Sequence, residues 1–149
     1  MPPTEPGCSA VRAGEDDRGA DAVVPAYLIL LSMFLFQIKH FVCDFLLQTY
    51  DQIRFKGKYL HPAGLLHAGL HMLGSIPALL VLTWTPVTIA VLVVAEFLVH
   101  YHTDWAKAQL DSNLRLNDQN SLYWAIFGGD QLVHQLTYIG MIYAALYLF

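Results

Sequence analysis

The chain has 149 residues, enough for one domain, of which 56% are hydrophobic and only 13% charged. Soluble domains carry about a quarter charged residues, so this composition points to a membrane protein and away from a soluble helical core. The formal net charge is -4, and no basic cluster of the kind that nucleic-acid binding needs is present, which excludes a nucleic-acid partner.

Residues 1–22 are rich in Pro, Gly, Ala and acids and show no periodicity, which predicts a disordered polar tail. Residues 23–149 form the predicted transmembrane domain. A first span runs from about Val24 to Gln48, with Pro25 suited to an opening helical turn. It follows an acidic tail, is too long for a leader and has no small-x-small pattern after it, so it reads as a span and not a cleaved signal peptide. Lys39 interrupts the run late and is expected to snorkel to the interface. Cys8 lies in the tail and Cys43 inside this span, so no disulfide between them is expected.

Asp51 to Lys58 reads as a polar loop with three basic residues. A second span runs from about Pro62 to Leu82, with a kink possible at Pro77. Thr83 to Pro86 is a tight hairpin with an interfacial Trp84. A third span, Pro86 to Lys107, is aliphatic in its first half and carries Glu96, His100, His102 and Asp104 in its second. Asp111 to Ser121 is the longest internal connection. The fourth span is read from Asp130 to Phe149, with Gly128-Gly129 bending or breaking it from Leu122–Phe127, which is either its start or a separate interfacial helix.

The expected fold is therefore all-α, a polytopic membrane four-helix bundle. Four spans place both termini on one side. Arg54, Lys56, Lys58, Lys107 and Arg115 all fall on the other, so the positive-inside rule makes the loop side cytoplasmic and puts both termini outside, in a multi-pass protein of the inner membrane.

Four polar pairs share i,i+4 spacing: His40/Asp44, His67/His71, His100/Asp104 and Asp130/His134. Each pair occupies one helix face. At about 1.5 Å rise per residue, all four fall within roughly 10 Å of the loop-side interface despite the alternating helix direction. Bundles build metal sites from facing helices in this way. Five histidines and three aspartates suit a divalent metal, zinc, iron or manganese. They exceed one tetrahedral zinc, so two metals, or one metal with outer carboxylates, are both open. Glu96 lies four residues before His100, where it would serve as a bridging ligand or general base. Asp44 is the other expected catalytic carboxylate. Gln48 and Gln131 read as outer partners, and His61 and His102 as interfacial bystanders.

The ordered set His40-x-x-x-Asp44-Phe45-x-x-Gln48, His67-x-x-x-His71, His100-x-x-x-Asp104 and Asp130-Gln131-x-x-His134 resembles the bacterial membrane-protein family catalogued as domain of unknown function 3307, over about Ile29 to Ile142. It is more distantly similar to small inner-membrane proteins labelled metal-dependent hydrolases. The resemblance implies the same eight residues as the functional set and leaves the reaction open. The short Thr83–Pro86 hairpin leaves little room for an outer-side domain.

Two functions follow as expectations. One is metal-dependent hydrolysis of a lipid-like or amphiphilic substrate reached from the cytoplasmic interface, with an oxidative di-iron enzyme as a variant. The other is a non-catalytic structural or accessory subunit of a membrane complex, or a homo-oligomer, in which the polar layer is a hydrogen-bond network. Haem binding suits the carboxylates poorly, and a transporter lacks a polar path through the upper halves of spans two and three.

Overall fold

The computed structural model describes residues 24–148. The expected tail, residues 1–22, lies outside them. Five helices follow in order: α1 (Ala26–Phe41), α2 (Tyr50–Phe55), α3 (Pro62–Leu80), α4 (Pro86–Asn113) and α5 (Ser121–Tyr147). No strand occurs among the described residues. Apart from α2, the helices make an all-α four-helix bundle. Ala26–Leu46, Pro62–Leu80 and Pro86–Asn113 are long and apolar enough to cross a membrane. The expected fourth span, α5, does not reach the same apolarity, although its 27 residues extend about 40 Å.

Local chemistry sets the helix ends. Pro62 and Pro86 open α3 and α4, where a missing N–H costs nothing. His61 caps α3 by accepting the Ala63 N–H at 3.2 Å. Thr49 and Gln52 form a reciprocal capping box on α2, so the stretch read as a loop contains a short helix. Two readings of the last span resolve into one. α5 runs unbroken through Gly128 and Gly129, and a Cβ on either glycine would meet nothing within 4 Å. The apolar flanks on both sides carry the helix across them.

α1 does not simply continue to Gln48. Its last turn widens into a π-helical stretch, Val42–Leu46, closed by the Leu47 N–H to the Val42 carbonyl at 2.9 Å. Such widened turns are frequent at functional sites, and this one carries Asp44.

α4 ends at Asn113 in a left-handed cap. The Leu116 N–H bonds the Asp111 carbonyl at 2.9 Å and the Arg115 N–H bonds that of Ser112 at 3.2 Å, with Arg115 at φ 51°. This is a Schellman motif with arginine where glycine is usual.

The bundle divides into two halves. Toward the termini, Phe36, Ala78, Leu79, Leu92, Val93, Tyr138, Met141 and Ile142 form the apolar core, with Phe36 stacked on Tyr138 at 5.0 Å. Ser32 donates to the Ala78 carbonyl at 2.9 Å, tying α1 to α3 there. Toward the loops, the interior is polar.

Two expected outcomes check this description. Arg115→Gly removes the left-handed strain and raises stability by about 0.5–1 kcal/mol, read from detergent-solubilised melting. Gly128→Ala/Gly129→Ala leaves the melting temperature unchanged or raises it, because the helix is continuous and a methyl has room. A large loss would mean that the helix breaks at the glycines.

Candidate metal centre

Each of the four main helices delivers one pair to the polar half. His40 and Asp44 come from α1 and its widened end, His67 and His71 from α3, His100 and Asp104 from α4, and Asp130 and His134 from α5. Antiparallel packing brings the pairs to one level. Asp44 Oδ1 lies 3.1 Å from His67 Nε2 and 3.3 Å from His71 Nε2. Asp104 Oδ2 lies 3.3 Å from His67 Nε2 and 3.5 Å from His100 Nε2, and its Oδ1 is 3.6 Å from His134 Nε2. The imidazoles touch one another, with ring centroids 3.9 Å apart for His71–His100 and 4.2 Å for His100–His134.

Two groups of side chains converge closely enough to hold a cation. Asp44, His67, His71 and His100 each offer a ligand atom within 4.8 Å of the others, and so do His100, Asp104 and His134. For bonds of about 2.0–2.1 Å, a tetrahedral centre sets its ligand atoms about 3.3–3.5 Å apart. Within the groups the carboxylate–imidazole separations, 3.1 and 3.3 Å at Asp44 and 3.5 and 3.6 Å at Asp104, are close to that spacing, and the full sets extend to at most 4.8 Å.

The hydrogen-bond inventory is as telling. His71 is 0% exposed and His100 1%. Both ring nitrogens of each lack a hydrogen-bond partner, since the nearest carboxylate oxygens stand close but out of hydrogen-bonding alignment. Leaving a buried polar atom unsatisfied costs about 1–3 kcal/mol each. A bound ion would satisfy one nitrogen of each ring, so two buried imidazoles without hydrogen bonds beside the carboxylates fit a ligand set better than they fit packing.

His40 stands apart from both groups. Lys39 can only donate to the Tyr138 hydroxyl (3.0 Å), which leaves that hydroxyl's hydrogen for His40 Nδ1 at 3.0 Å. In neutral His40 the proton then sits on Nε2, directed at Gln131 Oε1 (2.8 Å), with Asp44 Oδ2 beside it at 3.2 Å. His40 is thus held by Tyr138 and Gln131 next to Asp44, where outer partners of metal ligands stand. Asp130 also lies outside the two groups. Its Oδ1 is 3.5 Å from His134 Nε2 and has no hydrogen-bond partner. Gln48 reaches His67 Nε2 at 3.3 Å, and the Gln131 amide donates to Asp130 Oδ2 at 3.2 Å.

Lys39 and Glu96 differ from their sequence reading. Lys39 does not snorkel. It is 7% exposed and pairs with the 1% exposed Glu96. Glu96 is thus committed to a lysine and lies outside both ligand groups. The reason is depth: Lys39 precedes His40 by one residue and Glu96 precedes His100 by four, which sets both just above the histidine layer. Opposite charges at one level in an apolar interior pair sooner than they solvate. Their shared depth was a usable signal. Tyr138 carries no sequence signal of its polar role, because a tyrosine in an apolar helix looks like core. Lys56, read only as a loop cation, bonds Asp104 Oδ2 at 2.8 Å. His61 stacks on Phe55 at 4.3 Å, and exposed His102 bonds the Leu98 carbonyl at 2.7 Å.

The charges leave a remainder. Lys39 and Lys56 offset two of the four carboxylates Glu96, Asp44, Asp104 and Asp130. One divalent cation, or protons on two of the imidazoles, would offset the other two.

Fold and cluster together define a helical membrane-type bundle with a buried His/Asp cluster at one end. The chain belongs to the family described as protein of unknown function, DUF3307, whose sequence profile it matches over residues 30–148. No curated protein and no solved structure matches it.

Breaking the Lys39–Glu96 pair from one side leaves a buried charge alone. Lys39→Met is expected to lower stability by about 3–5 kcal/mol, and Lys39→Met/Glu96→Leu to recover most of that. A Cβ on Gly74 would stand 2.8 Å from Lys39 Cγ, so Gly74→Ala should cost about 1–3 kcal/mol by displacing this lysine. Melting of the four proteins in one detergent checks both expectations.

Proposed function

We propose that this protein lies in the inner membrane, multi-pass with both termini outside, and holds a divalent metal near the cytoplasmic interface. Zinc, iron or manganese suits the donor set. Asp44, His67, His71 and His100 would hold one ion, and His100, Asp104 and His134 are the adjoining group for a second. The observation that carries this reading is that His71 and His100, buried and without hydrogen bonds, each bring a ring nitrogen to within 4.8 Å of the ligand atoms of Asp44 and His67.

The reaction we propose is hydrolysis of a lipid-like or amphiphilic substrate. A divalent ion supplies Lewis acidity for such chemistry at neutral pH. A cavity of about 810 Å³ lies between α2, α4 and α5, and Asp44, Asp104 and Asp130 line it. Substrate entering from the loop side therefore meets the site's carboxylates first. Asp130 lines the cavity, so it is the carboxylate assigned to accept a proton from attacking water, and Asp44 lines the same cavity with His40 Nε2 3.2 Å from its Oδ2. Glu96 does not line the cavity, which moves the general-base role away from it.

A second reading has its own support. Lys56 on Asp104 and Lys39 on Glu96 neutralise two carboxylates without any metal. In that reading the layer is a structural hydrogen-bond network in an accessory subunit or a homo-oligomer.

Turnover separates the two. Full-length protein in lipid vesicles should hydrolyse at least one of a set of fluorogenic amphiphilic phosphate, carboxyl and amide esters. Chelation should abolish the activity, and Asp130→Asn should lower it by about a hundredfold or more while metal content is kept. Absence of turnover on all three, with stable co-purification of a second membrane protein, would favour the accessory subunit.

A further inference from the structure

The cavity has a chemistry beyond the carboxylates at its inner end. Its outer wall is basic: Arg54, Lys56 and Lys58 from α2 and the turn after it, and Lys107 from α4. Two of these are engaged, Lys56 with Asp104 at 2.8 Å and Lys107 with Asp111 at 3.0 Å. Among the described residues, Arg54 and Lys58 have no ion-pair partner. Both flank the Phe55 ring, at 5.4 and 4.8 Å from its centroid, which holds them together at the rim.

This wall is built and not a loose loop. Gln52, 2% exposed, closes the capping box beneath α2. Gln109 donates to the Gly57 carbonyl at 2.6 Å, fixing the turn to α4. The Tyr101 hydroxyl accepts the Leu60 N–H and holds Leu60 in its left-handed conformation, φ 56°. Apolar side chains, Phe45, Ile53, Leu116 and Phe127, share the lining with the cations. Basic groups at the mouth and apolar groups along the wall suit one ligand class: an anionic head carrying an apolar tail.

We propose that this vestibule binds the phosphate head of an anionic amphiphile, with Arg54 and Lys58 as its recognition residues. The inference deepens the hydrolytic reading, because a head held there would face Asp44 and Asp130. Its binding step does not need turnover.

The test is calorimetric titration of the full chain in non-ionic detergent with three probes: a short-chain phosphatidic acid, the phosphocholine lipid of equal chain length, and inorganic phosphate. Metal content is measured on the same samples. Saturable binding of phosphatidic acid, about tenfold or more weaker in Arg54→Gln/Lys58→Gln and unchanged in the control Arg115→Gln, is the expected result. Inorganic phosphate binding as tightly, with the same loss in the double variant, would keep the site and assign it to the free ion. Equal binding of the phosphocholine lipid, or phosphatidic acid binding indifferent to the double variant, would overturn the proposal. So would no binding by metal-replete protein, and the metal site would then still stand. Binding by protein that holds no metal would retain the vestibule and remove the ion.

Discussion

An ionisable group withdrawn from water into an apolar bundle must find a partner across a helix interface, because the bilayer offers none. Every feature of the loop-side half follows from that constraint. Four helices each bring two such groups, and antiparallel packing lets them meet at one level. Most are satisfied in pairs: Lys39 with Glu96, His40 with Asp44 and Tyr138, Lys56 with Asp104. Asp130 Oδ1 and Glu96 Oε2 stay unsatisfied as single atoms, whereas in His71 and His100, fully enclosed, both ring nitrogens are without hydrogen bonds. Those two rings give the cluster its chemical meaning, since a network evolved only as glue would be expected to close on itself.

The two halves of the bundle have different tasks. The terminus-side half is an ordinary packed core around Phe36, Leu79 and Tyr138, which fixes the helices against one another. Tyr138 joins the halves. Its ring stacks on Phe36 while its hydroxyl accepts from Lys39 and faces His40. Apolar packing is thereby coupled to the placement of His40 beside Asp44. The widened last turn at Val42–Leu46 adds to this by carrying Asp44 to within 3.1 Å of His67 on α3.

Much of this was legible in the residues. The i,i+4 spacing of four His/Asp pairs and their common depth predict that they meet, and prolines at 62 and 86 mark two helix starts. What spacing cannot report is who partners whom within the layer. His40 shares its face with Asp44 and so reads as a ligand, yet its partner Tyr138 lies 98 positions away and looks like core. Lys39 reads as a snorkelling residue because charge near a span's end usually reaches water. Here Glu96 across the bundle captures it. Gly128-Gly129 reads as a break because glycine weakens helices locally, and the packing of α5 overrides that preference. The π-helical turn has no compositional signal, since a run of apolar residues around Asp44 serves an α-helix equally well.

The central claim is that His71 and His100 hold a metal. Elemental analysis of the full chain, purified in detergent without chelator from metal-supplemented cells, tests it most directly. It should be run beside His71→Ala/His100→Ala and the outlying His102→Ala. The account predicts about one or two equivalents of zinc, iron or manganese per chain, lost in the double variant and kept in His102→Ala. Folded protein with no metal above background in all three samples would contradict it and leave the polar layer as a structural network.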